Sequence, residues 1–381
     1  MQLRTSELPG RHTRRRLLGT LAIVIAMLLV GGLAFIFHFG QSSVSAHPVR
    51  SPLAPSVYIG SAGGTLYKVD AASGTLLWST VIGGRSIPSA PAVANGNVYV
   101  GSLRGDLVAL HADTGAVTWR YRTGGAILAS PVVVKGVVYV GSSDGYLYAI
   151  DAKSGSLHWH HRAGPANDAM TVFGPGVANG LVIAASSDEV AKSYVFAVNA
   201  STGAEVWRVS IAHQLPSDVK IVNGTVYLAA TALSVAGGPT ITDSYIYAFN
   251  AKDGSKLWRS SKIGAQILVA PTVANGHVYT GAQDGTMVAF DAKTGAQTWR
   301  HNANGPIYAS PQIVNGVVYF GVGSTVHDNK GTSHSVTVDA TKTDGAIIAL
   351  DATTGSLRWR HQLAGYDGAS FMIHGNALFV A

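Results

Sequence analysis

A nine-residue pattern returns seven times along this chain, and every copy closes on tryptophan. In its third copy it reads Asp151-Ala-Lys-Ser-Gly-Ser-Leu-His-Trp159. The copies end at Trp78, Trp119, Trp159, Trp207, Trp258, Trp299 and Trp359, which are all the tryptophans present. Each copy has Ala at its second position and Gly four residues before the Trp: Gly74, Gly115, Gly155, Gly203, Gly254, Gly295 and Gly355. A repeat at this spacing demands an architecture in which each unit buries its apolar face against the next.

The physics of one copy says what the unit is. An apolar run such as Tyr146 to Ile150 precedes the motif and a second run ends in the Trp, so the motif is a turn between two strands. Asp, Asn or His at its head bonds backbone groups ahead of it, and the Gly supplies the positive φ of a tight turn. Upstream, Asn95-Gly96, Lys135-Gly136, Asn179-Gly180, Asn223-Gly224, Asn275-Gly276 and Asn315-Gly316 each stand between a further pair of apolar runs. Asn-Gly in that setting is a strong hairpin signal. Each unit is therefore a four-stranded meander, with strands A to D. The Trp spacings of 41, 40, 48, 51, 41 and 60 residues suit propeller blades of about 40 to 50 residues with inserted loops. One Trp per unit, burying roughly 150 to 250 Å², predicts a peg between neighbouring blades.

The run from Gly141 to Trp159 resembles the repeat of the PQQ-like β-propeller superfamily, which includes quinoprotein dehydrogenases and the assembly lipoprotein BamB. The likeness covers residues 56–381. For the enzymes it implies PQQ in a central funnel, a Ca²⁺ held by carboxylate and amide ligands, a catalytic Asp and, in many members, a disulfide of adjacent cysteines. For the BamB type it implies a scaffold in an envelope complex. The chain has no cysteine. That excludes the disulfide, thiolate metal sites, a thiol nucleophile and a lipidated N-terminal Cys.

Residues 1–16 form a basic segment with five Arg and one Glu, out of a formal net charge of +7 for the chain. From Leu17 to Phe37 no charge occurs, and such a stretch is long enough to span a bilayer. A transmembrane helix or signal-anchor is expected over 17–40, with Arg14 to Arg16 setting a cytoplasmic N-terminus and the rest extracytoplasmic. The alternative is secretion after cleavage near Ala46, where Val44-Ser45-Ala46 resembles a peptidase site. Residues 41–55 read as a linker containing Pro48, Pro52 and Pro55.

The propeller, over 56–381, opens on a B strand at Val57 to Gly60, and Ala369 to Gly375 supplies an A strand near the other end. Closure of a seven-bladed ring pairs that A strand with the first B strand, leaving the strand from Ala377 over. An eight-bladed ring with one incomplete blade is the alternative.

The A-to-B and C-to-D turns share one rim and are uniformly tight. Length variation falls on the other, in the B-to-C and D-to-A loops at 163–168, 186–193, 231–244 and 323–345. Variable loops on a rigid scaffold are where binding resides. The candidate ligand face there carries Asp188, Glu189, Lys192, Asp243, His327, Asp328, Lys330 and His334. The His and Asp spacing matches no metal template. Arg120, Arg208, Arg259, Arg300 and Arg360 follow the motif Trp directly and read as charged guards on the outermost strand. His158 and His160 alternate onto the face opposite Trp159. Cations spread around a circumference make no nucleic-acid stripe. Asn199 and Asn223 match glycosylation sequons, but both stand at turns that want Asn for its conformation.

No catalytic, cofactor-clamping or metal-ligating constellation emerges. The expected function is a non-catalytic extracytoplasmic scaffold that recognises a protein or envelope ligand through the variable-loop rim. A PQQ- and Ca-dependent dehydrogenase is the alternative, and a propeller glycosidase or lyase, with only Glu189 and Glu205 as Glu beyond residue 16, the third.

Overall fold

The computed structural model describes residues 56–380 apart from 62, 84–85, 166–169, 189–191, 212–213, 233–242, 324–344, 364–370 and 375–376. The basic segment, the apolar stretch at 17–40 and the linker lie outside the described residues. Among the described residues no helix is long and apolar enough to cross a membrane.

The chain is an all-β, seven-bladed propeller of antiparallel sheets. Blade three shows the plan: strand A is Val132–Val134, B is Val137–Gly141, C is Tyr146–Asp151 and D is Leu157–Arg162, hydrogen-bonded in the order D-C-B-A. The A-to-B turns take positive φ at both central residues, 51° at Asn95 and 74° at Gly96, the type I′ geometry whose twist matches that of the strands. At the C-to-D turn Asp151 Oδ1 accepts the backbone N–H groups of Lys153 (3.0 Å) and Ser154 (2.7 Å), and Gly155 takes φ of 75°. Each blade has a β-bulge one residue before its Trp, as where Trp159 faces Ala149 but Leu157 faces Ile150. The bulge lifts His158 out of simple alternation, and it sits 3.5 Å from Asp151 instead.

Packing runs between blades rather than within them. Tyr99 and Trp119 of blade two meet Val138, Val140 and Tyr148 of blade three in one buried cluster. Five further clusters repeat this at the other junctions. The motif itself is the joint. Trp119 Nε1 donates to the carbonyl of Ala152 in the next blade (3.0 Å), and Tyr99 Oη donates to the same oxygen (3.0 Å). The indole lies flat on the turn of that blade: a Cβ on Gly155 would stand 2.8 Å from the ring. The same Trp-to-Ala bond recurs from Trp78, Trp159, Trp207, Trp258 and Trp299 to Ala112, Ala200, Ala251, Ala292 and Ala352. Motif Ala and Gly are thus the acceptor and the seat for the preceding blade's Trp. Trp359 is the exception. It is 41% exposed, where the buried four stand at 7 to 9%.

Three expectations need correction. The C-terminal A strand, Phe371–His374, pairs with Ala377–Val380 and not with the first B strand, Ser56–Gly60. A hairpin with a two-residue connection closes at far lower entropic cost than a contact between strands some 300 residues apart. This two-stranded sheet stands beside the A strand of blade seven, and blade one comprises three described strands. Secondly, blades four and five have five strands. Their B strands, Leu181–Ser187 and Thr225–Ala232, outrun a normal A strand, and a second short segment, Thr171–Val172 or Gln214–Pro216, covers the extra length. Thirdly, the Arg residues after the motif Trp are ties as well as guards. Arg120, Arg208, Arg300 and Arg360 donate back to the Ile82, Ala163, Ile263 and Ala303 carbonyls of the preceding blade. Guanidinium groups satisfy D-strand-end carbonyls that a loop rim would otherwise leave open.

Candidate functional site

On the loop rim the C strands are compared at the position three residues before the one facing the motif Trp, the first or second residue of each strand. Around the propeller that position holds Thr65, Asp106, Tyr146, Tyr194, Tyr245, Thr286 and Ala346. Two residues on, the same three blades carry Tyr148, Phe196 and Tyr247. Three consecutive blades therefore present an aromatic doublet, where blade one has the single aromatic Tyr67 and blades two, six and seven have small, polar or aliphatic groups at both positions. Tyr146, Tyr194 and Tyr245 are all half-buried, so one end of each ring packs and the other meets solvent.

Each of these rings carries a guanidinium. Arg162 lies 5.5 Å from the centre of Tyr146, Arg208 5.0 Å from Tyr194 and Arg259 4.5 Å from Tyr245. The anchoring differs between blades. Arg162 Nη1 also donates to Tyr146 Oη (3.2 Å) and its Nε to the Pro165 carbonyl (3.2 Å). Arg208 is clamped by Glu205, with Nε to Oε1 at 3.1 Å, and by the Ala163 carbonyl. His161 Nε2 stands 3.1 Å from Glu205 Oε2. The Arg208 bond holds the Glu205 carboxyl below its usual range, and burial pushes His161 down.

Blade three adds a second layer. Tyr148 Oη donates to Asp144 Oδ2 at 2.7 Å, and the Gly124 N–H donates to the same oxygen at 2.6 Å. Burial, with Asp144 reinforcing it, pushes the Tyr148 phenol well up. Tyr121 of blade two and His160 stand 5.8 and 5.9 Å from Tyr148. In blade five, Asp243 pairs with Lys262 and receives Tyr245 Oη at 3.5 Å. The result is an arc of amphipathic aromatics with cations over their faces, the side chains enriched in protein interfaces.

Of the residues expected from sequence, Asp243 joins this arc. Asp188 and Lys192 close a local turn, the Lys192 N–H donating to Asp188 Oδ1 at 2.8 Å. Glu189, His327, Asp328, Lys330 and His334 lie outside the described residues. The aromatic doublets are inconspicuous in the sequence because each lies within an apolar strand run. Aligning the C strands on their Trp would have shown that they occur in three consecutive units.

A second missed residue stands where the A strands come side by side. Residues just before these strands bond between neighbours: Ser130 Oγ accepts the Ala90 N–H (3.1 Å), and Ser310 Oγ donates to the Ala270 carbonyl (2.8 Å). At the junction of blades four and five the position is Asp218, whose Oδ1 accepts the Gly174 N–H at 2.7 Å. The residue keeps some exposure, but its carboxylate is pressed inward: a Cβ on Gly174 would lie 2.5 Å from Asp218 Cγ. Burial pushes this carboxyl up, against the pull of Gly174 and Lys220. Where blades two, three, four, six and seven have Ala, Ser or Gly followed by Pro, this one reads Asp218-Val219, a break visible in the sequence.

Among the described residues no group of three or more His, Asp and Glu converges. Calcium takes about six to eight oxygen ligands. The described A-strand ends offer Asp218 alone as a carboxylate, with one oxygen already engaged. These residues do not fit a quinone and calcium site.

The model of the family described as outer membrane protein assembly factor BamB matches residues 62–230, 168–267 and 242–380. A solved BamB from Moraxella catarrhalis is similar in fold, with a TM-score of 0.56 and 22% identity over 71% of this chain and 76% of that one. A quinohemoprotein alcohol dehydrogenase from Pseudomonas putida HK5 superposes with a TM-score of 0.56 at 18% identity, covering 72% of this chain and 60% of that one. The tetrathionate hydrolase of Acidithiobacillus ferrooxidans is 29% identical over 122 residues, 28% of this chain and 23% of that protein. The match thus spans about a quarter of that curated relative.

Proposed function

The chain belongs to the family of the outer membrane protein assembly factor BamB, and from that premise we propose that it is a non-catalytic extracytoplasmic scaffold. It binds a protein component of the envelope through the loop rim of blades three to five, and residues 17–40 hold it at the membrane. The observation that carries this reading is the threefold Tyr and Arg pairing of Tyr146, Tyr194 and Tyr245. Nothing in the packing of a blade requires it, since Thr65, Asp106, Thr286 and Ala346 serve the same position elsewhere. Rigid aromatic rings and Arg give binding energy at low entropic cost, which is why they dominate hot spots.

A photo-crosslinking amino acid placed at Tyr194 or Tyr245 in the full chain, in its own cells, should trap a discrete protein partner. The same probe at Thr65 or Thr286 should not. Equal yields at all four positions overturn the assignment. Separately, PQQ with Ca²⁺ should leave the melting temperature unchanged. A ligand at a hundredfold excess over its Kd stabilises by about 2.7 kcal/mol, so a shift of that order restores the dehydrogenase reading.

A further inference from the structure

Six of the seven indoles donate to a carbonyl of the next blade, and among the described residues Trp359 donates to none. At five of those six junctions a B-strand tyrosine donates to the same oxygen. Tyr279 and Trp299, 3.2 and 2.9 Å from the Ala352 carbonyl, show the plan. Blade seven holds the same pair in the same pose. Tyr319 and Trp359 have ring centres 5.9 Å apart at 55°, against 5.8 to 5.9 Å and 41 to 53° in the five. The two donors are set for a carbonyl, and the indole face for a glycine turn, on a ring that is 41% exposed.

Two further features belong to this junction of the ring. Phe371–His374 stands beside the blade-seven A strand, Gln312–Val314, as each A strand stands beside the next, and Ala377–Val380 pairs with it as a B strand does. Every blade runs a C strand along the far edge of its B strand, but among the described residues nothing pairs with that edge of Ala377–Val380. Beyond it, blade one carries a formed turn. Asp70 Oδ1 accepts the Ala72 and Ser73 N–H groups at 3.0 and 2.8 Å, and Gly74 takes φ of 71°. Among the described residues no Trp donates to the Ala71 carbonyl, the acceptor position of that turn.

One element answers all three features: a C strand, a motif turn and a D strand ending in Trp. We infer that the junction of blades seven and one binds a β-hairpin of this kind supplied by a partner. Its first strand pairs with Ala377–Val380. The Ala carbonyl of its Asp-Ala-x-x-Gly turn receives Tyr319 and Trp359, its Gly lies flat on the indole, and its own Trp takes the seat at Gly74. In such strand addition main-chain bonds give affinity and side-chain seats give specificity. A second copy of this chain does not fit. Its one unseated turn among the described residues, Asp70 to Gly74, follows the C strand Thr65–Asp70, which is paired on both edges by Ser56–Gly60 and Leu76–Val81 and has none left for Ala377–Val380. The inference goes beyond the scaffold reading, which concerns blades three to five, and does not depend on it.

The probe is a synthetic peptide of residues 142–162, the C-to-D hairpin of blade three, titrated by calorimetry into the full chain. A hairpin alone is marginally stable in water, so this one orders as it binds. It should bind and raise the melting temperature, and a scrambled peptide of the same composition should do neither. Trp359→Ala in the protein should weaken binding by about tenfold or more, and Trp359→Phe, which keeps a ring but not the donor, by less. Melting curves of both variants report on their folding. Trp159→Ala in the peptide should also weaken binding, by loss of the contact at Gly74. Equal binding of the scrambled peptide, equal binding by Trp359→Ala, or no binding at millimolar concentration each overturn the proposal. So does sedimentation showing that the chain self-associates and that Trp359→Ala abolishes this, which would make the occupant a second copy. The comparison with the scrambled peptide needs no variant and stands even if Trp359→Ala misfolds.

Discussion

The two rims of this propeller follow opposite rules. On the turn rim the blades repeat one another: Asp or a stand-in heads each turn, and in blades two to seven Gly seats an indole and Ala receives its N–H. On the loop rim blades three to five depart from their neighbours, with longer B strands in two of them, aromatic doublets, guanidinium caps and a lone inward carboxylate. Repetition tracks the contacts that bear stability, and departure tracks the groups for which stability gives no reason. The sharpest way to break this comparison is to strike each rim with equivalent substitutions.

The largest effect is expected at a turn-rim joint. Trp119→Ala removes a buried ring and the donor to Ala152, and should cost about 3 to 5 kcal/mol in denaturant unfolding. Trp359→Ala, at the one exposed Trp, should cost about 1 kcal/mol or less. Equal losses would mean that the motif acts within its own blade and not across the junction. Next comes the seat. Gly155→Ala meets the Trp119 ring at 2.8 Å and keeps φ of 75°, and should cost about 2 to 4 kcal/mol. Gly136→Ala, at φ of 79° with nothing within 4 Å, pays only the backbone strain of about 1 to 2 kcal/mol.

On the loop rim the effect should move from stability to binding. Tyr194→Ala and Tyr245→Ala truncate half-buried rings and should lower stability by about 1 kcal/mol. Together they should reduce partner crosslinking by tenfold or more, the scale of a hot-spot loss of about 1.4 kcal/mol. Thr286→Ala is the matched control and should leave crosslinking intact.

How much of this was legible from the chain alone divides along the same line. Trp119, Gly155 and Asn95 announce their roles because turn geometry and ring burial are local demands, repeated seven times. The partner of Phe371–His374 was misread because strand exchange is a contest between a near and a distant partner, which periodicity does not decide. Asp243, expected on the candidate face from loop length, stands beside Lys262 and Tyr245. Tyr146, Tyr194 and Tyr245 were overlooked because, in a strand, a functional aromatic and a core aromatic have the same pattern. Only the departure from the repeat separates them, and Asp218 is visible by the same test.

The smallest expected effect is one of slope. The turn-rim carboxylates and Asp218 should respond to pH in opposite senses. On the turn rim Asp70, Asp151, Asp291 and Asp351 are each held below the usual range by turn N–H and hydroxyl donors, with Arg358 bringing Asp351 down to about 2. A lowered folded pKa gives stability that is present above the unfolded value near 4 and is lost as pH falls toward 2. Asp218 runs the other way. Its carboxyl is pushed up, so the folded state prefers it protonated, and stability is lost as pH rises from about 4 through the folded value. Asp218→Asn keeps an oxygen for the Gly174 N–H and cannot ionise. It should match the wild type at pH below 4 and become the more stable protein as pH rises to 7, while Asp351→Asn should be the less stable at pH 7 and converge with the wild type in acid. An Asp218→Asn variant that is instead destabilised at neutral pH would show that the ionised carboxylate is wanted there, as a ligand or a base, and would move the search for function from the arc to the inner strands.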